Sequence, residues 1–302
     1  MDLIKRPISW TLPTSELTRA GVRRGIKATA FYGKELSEGC IAQVDFLGFV
    51  DLLRRAKGRG AEVVHDFYQQ TELHARIGAR TNGDDQEPTI ALFQYADTVN
   101  ILARDDGPGG IRAVVLATAT LLASAHGRGL PARAGISMGE IWAVSHQEQG
   151  GLGGDFVSGP ALAAAHMIEA AQEWAGAVLD PMSKSLMLSK QVEELVDEGW
   201  LIEADVPLKI APGKVEVHRL LAVNWPRALH VPNLDWFASI LRVDNRPDGG
   251  EERQWHKRQL ALEFYERHGR GRLPGHDGDY IAWLVSPSGL HLPIVPGITL
   301  TI

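Results

Sequence analysis

Apolar positions along residues 38–225 fall into two rhythms, short continuous or alternating runs and longer stretches with three- and four-residue spacing. Residues 40–45 (CIAQVD) read as a strand and 47–55 as the start of a helix. A second helical stretch, 61–77, leads into the polar loop ARTNGDDQEP. Residues 89–95 (TIALFQY) and 98–103 (TVNILA) are β-rich and separated only by Ala96 and Asp97, a tight hairpin signal. Ile111, Val114, Val115, Leu121, Leu122 and Ala125 then recur at helical spacing, and the glycines of HGRGLP stop that helix. Residues 133–137 and 140–144 are expected as a hairpin around Met138 and Gly139. Residues 157–173 are expected as a helix, 178–180 as a short strand, and the last elements end in VEVHRLLAV. The order βαββαββαβ implies an α+β domain whose antiparallel-rich sheet carries its covering helices on one side.

Beyond Asn224-Trp225-Pro226 the pattern changes. Residues 235–243 and 251–267 read as helices joined by NRPDGG, GRGRLPGHDGD reads as a loop, and HLPIVPGITLTI is β-like. The expected division is a basic arm over 1–37, a domain over 38–225 and an appended C-terminal subdomain over 226–302.

Composition narrows the function classes. Apolar residues make up 44% of 302 and charged residues 23%, as in soluble globular proteins. A net charge of −6 argues against a dedicated nucleic-acid binder. The longest apolar run, 113–125, is too short to span a bilayer, so no membrane insertion is expected. MDLIKRPISW lacks the apolar centre of a secretory leader, and a cytoplasmic location is expected. Cys40 is the sole cysteine, which leaves no internal disulfide and no cysteine zinc site. The eleven histidines form no HExxH spacing. Residues 1–34 carry seven Lys/Arg against Asp2 and Glu16, a run that reads as a solvated face.

Two aspartates and one serine are the candidates for chemistry. Asp45 alone is a helix cap and Asp97 alone a turn residue. Together they differ, because adjacent antiparallel strands would set both at one sheet end. Two close carboxylates repel, and a hard divalent cation relieves that repulsion. The rival, GISMG over 135–139, matches the spacing of a serine nucleophile elbow, which needs a helix directly after the serine. EIWAVS alternates like a strand instead, so a hydrolase is not expected.

Several ordered blocks over 38–225 resemble the class III nucleotidyl cyclases. VDFLGF (44–49) is similar to the first metal-aspartate segment and FQYADTV (93–99) to the hairpin carrying the second. RAGISMGEI (133–141) resembles a strand pair of that family. GGDFVSGPALAAAHMIEAA (153–171) resembles the loop and helix that complete the partner's site. The resemblance implies a ferredoxin-like core and a homodimer with shared active sites. It also implies two divalent cations, Mn²⁺ or Mg²⁺, held by Asp45, Asp97 and the Phe46 carbonyl. Phe46, Leu47, Gly48 and Phe49 would contribute to nucleotide binding, with backbone N–H groups from Leu47 to Val50 holding the terminal phosphates, and Lys209, with Lys214 as competitor, would add positive charge. Arg133 matches a family position, where a structural salt bridge is its expected use.

The departures from the family bear on the base. Phe93 stands where purine-specific members carry a lysine, Phe156 falls near their second base-reading residue, and Ala163 and Met167 replace an Asn and an Arg. Loss of polar base contacts should abolish purine selection. The combination resembles the Pycsar-type bacterial pyrimidine cyclases. It implies conversion of UTP, or alternatively CTP, to a cyclic nucleotide that activates a separate effector in antiphage defence. The other alternative is a non-catalytic nucleotide-binding or scaffold domain.

Overall fold

The computed structural model describes residues 35–50, scattered helical positions between 53 and 79, and residues 90–103, 110–127, 130–145, 155–228 and 252–268. Residues 1–34 of the basic arm, the polar loop after residue 79, the GGLGGD segment up to 154, the expected helix over 235–243 and the β-like tail lie outside them, whereas residues 35–37, expected in the arm, belong to the first strand.

Strand β1 (Glu35–Phe46) lies inside a single sheet. The hairpin of β2 (Ile90–Tyr95) and β3 (Thr98–Ala103) borders it on one side. On the other side runs β4 (Ala132–Ser145), followed by β6 (Ala177–Leu179), β8 (Lys214–Val223) and β7 (Leu201–Ala211). The order is β2-β3-β1-β4-β6-β8-β7, with the short β5 (Asp155–Ser158) paired to the end of β4. Among the described strands only β4 and β6 run parallel; the other pairings are antiparallel. The fold class is thus α+β with an antiparallel-rich sheet.

Two expectations need correction. Residues 133–144 form no hairpin, because β4 is one continuous strand that pairs with β1 from Ala132 opposite Phe46 to Trp142 opposite Glu35. The chain does not reverse at Gly139, at φ 154°, which pairs with Gly39; the register shift beside it lies in β1, between Leu36 and Gly39. GISMG is therefore mid-strand, and no helix follows its serine. The helices, moreover, cover both faces of the sheet. Helix α1 (Gly110–Gly127) shares a core with Ala42, Val44, Val99, Ile101, Ala134 and Ile136. Helix α2 (Pro160–Ala171) packs Ala161 and Ala165 on the opposite face, against Ile41, Leu102 and Ile141. Alternation along each strand sends neighbouring residues to opposite faces, and here both faces are apolar. The expected helix over 157–173 is shorter than predicted because Val157 and Ser158 belong to β5.

Short helices α3 (Lys184–Met187) and α4 (Lys190–Asp197) connect β6 to β7. After β8 a 3₁₀ turn (Trp225–Ala228) buries Trp225, which stacks on His126 of α1 with ring centroids 4.4 Å apart. Helix α5 (Glu252–His268) buries Ala261, Leu262, Phe264 and Tyr265 in the same core as Trp225. Among the described residues no helix is long and apolar enough to cross a membrane.

The close seating of α2 depends on Gly135 in β4. A Cβ there would collide with the Ala165 carbonyl oxygen and approach Ile168 Cγ2 and Glu169 N. Gly135→Ala should therefore push α2 off the sheet and destabilise the fold by about 2 kcal/mol. Chemical denaturation of the two proteins measures this directly.

Candidate active site

Asp45 lies one residue from the end of β1, and its neighbours are set by register on both sides. It stands opposite Thr98 of β3 and opposite Arg133 of β4. Thr98 follows Asp97, so the β2–β3 turn meets the end of β1, and the Phe46 amide donates to the Asp97 carbonyl at 2.9 Å. In that turn Ala96 sits at φ 51°, a conformation costing a Cβ-bearing residue roughly 1 kcal/mol. The sequence-predicted pair, Asp45 and Asp97, is thereby brought together. Burial raises the pKa of Asp45, the Arg133 guanidinium works against it, and the charge of Asp97 raises it further.

Arg133 is the hub. Its Nε and Nη2 donate to Asp45 Oδ2 at 3.3 and 3.2 Å, and its Nη1 donates to the Gln172 carbonyl at 3.2 Å. Its Nε also lies 2.5 Å from Glu169 Oε1. Gln172 caps the C-terminus of α2, where the helix dipole leaves partial negative charge. A second cation arrives there from α5, since Lys257 Nζ donates to the same carbonyl at 3.5 Å. The Gln172 side chain donates to the Ala134 carbonyl at 2.8 Å and accepts from Trp174 Nε1 at 2.7 Å, which fixes the helix end against β4.

Glu169 is only 2% exposed. Burial pushes its carboxyl up to about 7; Arg133 and Lys257 oppose that rise, and Asp45 adds to it. His166 Nδ1 lies 3.4 Å from Glu169 Oε2 and 2.7 Å from Gln43 Nε2. Sequence reasoning passed over Glu169, Gln172, Lys257, His166 and Gln43. One signal was available: Ala161, Ala165 and Glu169 are spaced i, i+4, i+8, which sets a charge on the buried stripe of α2.

The other predicted residues spread more widely. Phe46 and Leu47 are buried, and their amides are engaged within the fold, that of Leu47 by the Pro131 carbonyl at 2.8 Å. Gly48, at φ 88°, makes the turn that a side chain would strain, and the buried Phe49 opens the following helix. Phe93 packs in the apolar cluster under α2 with Ile41 and Leu102. Phe156 pairs through its backbone with Val144. Lys209 forms an ion pair with Glu173 at 3.3 Å, and Lys214 one with Glu216 at 2.7 Å.

Among the described residues no group of three or more His, Cys, Asp or Glu gathers as a self-sufficient metal site. The donors at the end of β1 are two carboxylates and nearby backbone carbonyls, all oxygen. That set fits a hard divalent cation whose remaining ligands are water or other oxygen donors. The upward pressure of Asp97 on Asp45 is the electrostatic counterpart, since a cation between them would relieve it.

No family model matches the chain, and no curated protein matches it. Among solved structures it is similar to the catalytic core of a rhodopsin-guanylyl cyclase with converted specificity in complex with ATPαS. That likeness has 13% identity and a TM-score of 0.44, and covers 63% of this chain and 97% of that one. The guanylate cyclase domain of RhGC from Catenaria anguillulae in complex with GTP is similar at 13% identity and a TM-score of 0.43, over 63% of this chain and 98% of that one. A class III adenylyl cyclase-like ATP-binding protein from Pseudomonas aeruginosa is similar at 12% identity and a TM-score of 0.35, over 50% of this chain and 34% of that one.

The raised carboxyl of Glu169 makes a pH prediction with a definite sign. The folded state holds this proton more tightly than the unfolded chain, so stability is greatest below the ordinary carboxylate range. It is lost as pH rises from about 4.5 towards 7. The linkage amounts to about 3 kcal/mol. Denaturation of metal-free protein at pH 5 and pH 8 should show most of this loss in the wild type and little of it in Glu169→Gln.

Proposed function

We propose that this chain is a nucleotide cyclase acting on a pyrimidine triphosphate, with UTP preferred over CTP. The observation that carries the reading is the meeting of Asp45 and Asp97 at one sheet end, with Arg133 and Glu169 behind them. In the reaction the ribose 3′-oxygen attacks the α-phosphorus, its proton is lost, and pyrophosphate leaves. Two divalent cations, Mn²⁺ or Mg²⁺, would supply Lewis-acid charge that acidifies the 3′-hydroxyl and stabilises the pentavalent phosphate. Asp45, Asp97 and the Phe46 carbonyl would hold them.

Within the chain the remaining duties divide by position. The turn at Gly48 lets the chain leave β1 and enter the next helix, and the backbone from Gly48 to Phe49 would face the terminal phosphates. The engaged amides of Phe46 and Leu47 support that turn instead. Phe93 supports pyrimidine over purine because it is apolar, 5% exposed and packed, and so offers no hydrogen bond to a purine edge. Phe156 would lie near the base. Ala163 and Met167 lie on the outer face of α2, where Met167 is 66% exposed. In a head-to-tail homodimer that face would meet the partner's nucleotide, and Lys209 would add charge once drawn from Glu173. The resemblance to Pycsar-type cyclases carries the rest of the proposal, a cyclic pyrimidine product acting on a separate effector in antiphage defence.

A second reading is a domain that binds nucleotide without turnover. It is favoured by the apolar residues at 163 and 167, which can neither steady a ribose nor pair with a phosphate.

One assay separates the two. The purified full chain is incubated with Mn²⁺ and each of the four ribonucleoside triphosphates. A cyclic product is expected from UTP, less from CTP and none from ATP or GTP. Asp45→Asn and Asp97→Asn should each lower turnover by about a hundredfold or more while the protein stays folded. No product from any triphosphate overturns the enzyme reading. Specific activity should also fall on dilution, as a shared site dissociates.

A further inference from the structure

Arg133 is divided between two carboxylates, and a divalent cation on Asp45 would change that division. The guanidinium commits both Nε and Nη2 to Asp45 Oδ2, at 3.3 and 3.2 Å. A metal ion sharing that carboxylate would stand close to a like charge in a partly buried place, where repulsion is poorly screened. The alternative anion is already in contact. Glu169 Oε1 lies 2.5 Å from the same Nε, and the Gln172 carbonyl takes Nη1 at 3.2 Å. Arg133 can therefore leave Asp45 by a small rotation without losing all its partners.

We propose that Glu169 is a positioning residue that draws Arg133 off Asp45, and so sets how tightly Asp45 and Asp97 hold a divalent cation. This rests on the two-carboxylate metal site of the proposed function. Lys257 belongs to the same device. Buried on α5 and bound to the Gln172 carbonyl, it favours the ionised form of Glu169. His166, on the other oxygen of Glu169, limits where that carboxylate can turn. Helix α5 thereby contributes to a site whose proposed ligands lie on β1 and in the β2–β3 turn.

The test is calorimetric titration of the metal-free full chain with Mn²⁺ alone at pH 8, without nucleotide. Glu169→Gln should bind Mn²⁺ about tenfold more weakly than the wild type, because Arg133 then has only Asp45 as a charged partner. Arg133→Gln should bind about threefold more tightly than the wild type, a result that needs no change at Glu169. In the double variant the Glu169 penalty should vanish, leaving affinity within about twofold of Arg133→Gln. Asp45→Asn identifies the site by removing the binding. If wild-type binding depends on Asp45 yet Glu169→Gln binds equally well, the metal site stands and the proposal is overturned. It is overturned too if Arg133→Gln gains no affinity, or if the double variant is as weak as Glu169→Gln, since Glu169 would then act through packing. If the wild type shows no Asp45-dependent Mn²⁺ binding, the metal-site reading itself fails.

Discussion

Asp45 can meet both Asp97 and Arg133 only because β1 is locked in register against β3 and β4 at once. The lock is hydrophobic. Cys40, Ala42, Val44 and Phe46 point into the core under α1, while Ile41 points into the smaller cluster under α2. A slip of one residue would exchange these faces and send Asp45 into the α1 core. Because β1 is buried on both sides, every alternative register would also strand apolar side chains or bury Gln43 and Asp45 among them. The place of the carboxylate is thus enforced by residues with no chemistry of their own.

Its electrostatic surroundings follow from where α2 lies. Gly135 allows the helix to approach β4 at backbone contact, which brings Glu169 over Arg133 and directs the C-terminus of the helix at the same guanidinium. The result is a layered arrangement of charge. Asp97 and Asp45 stand at the rim, Arg133 lies behind them, and Glu169 with Lys257 lies deeper. Both cations touch the Gln172 carbonyl at the end of α2, and Arg133 touches two carboxylates as well.

Much of this was legible one element at a time. The strand carrying Asp45, the hairpin carrying Asp97 and the apolar stripe of α1 follow from local periodicity, since each is a short-range pattern of burial. The hairpin expected at Met138-Gly139 does not form. A glycine inside a strand marks either a reversal or a bulge, and only the partner strand decides. Here β1 pairs along β4 from Ala132 to Trp142, so the chain runs on through Gly139, and the extra residue of the bulge lies in β1 between Leu36 and Gly39. The placement of helices on one side failed for a related reason. A strand apolar on both faces is compatible with one deep core or with two shallow ones, and α2 supplies the second.

The sequence by itself marked Asp45 and Asp97 as candidates for chemistry, because an aspartate at the end of an apolar strand and one in a hairpin turn are local facts. It also determined the alternation that holds β1 in place. The tertiary structure alone decided which charges share a site. Glu169, Lys257 and Arg133 lie far apart along the chain and meet only where α2, α5 and β4 converge. No periodicity encodes such a meeting, since it depends on where helices dock on a finished sheet.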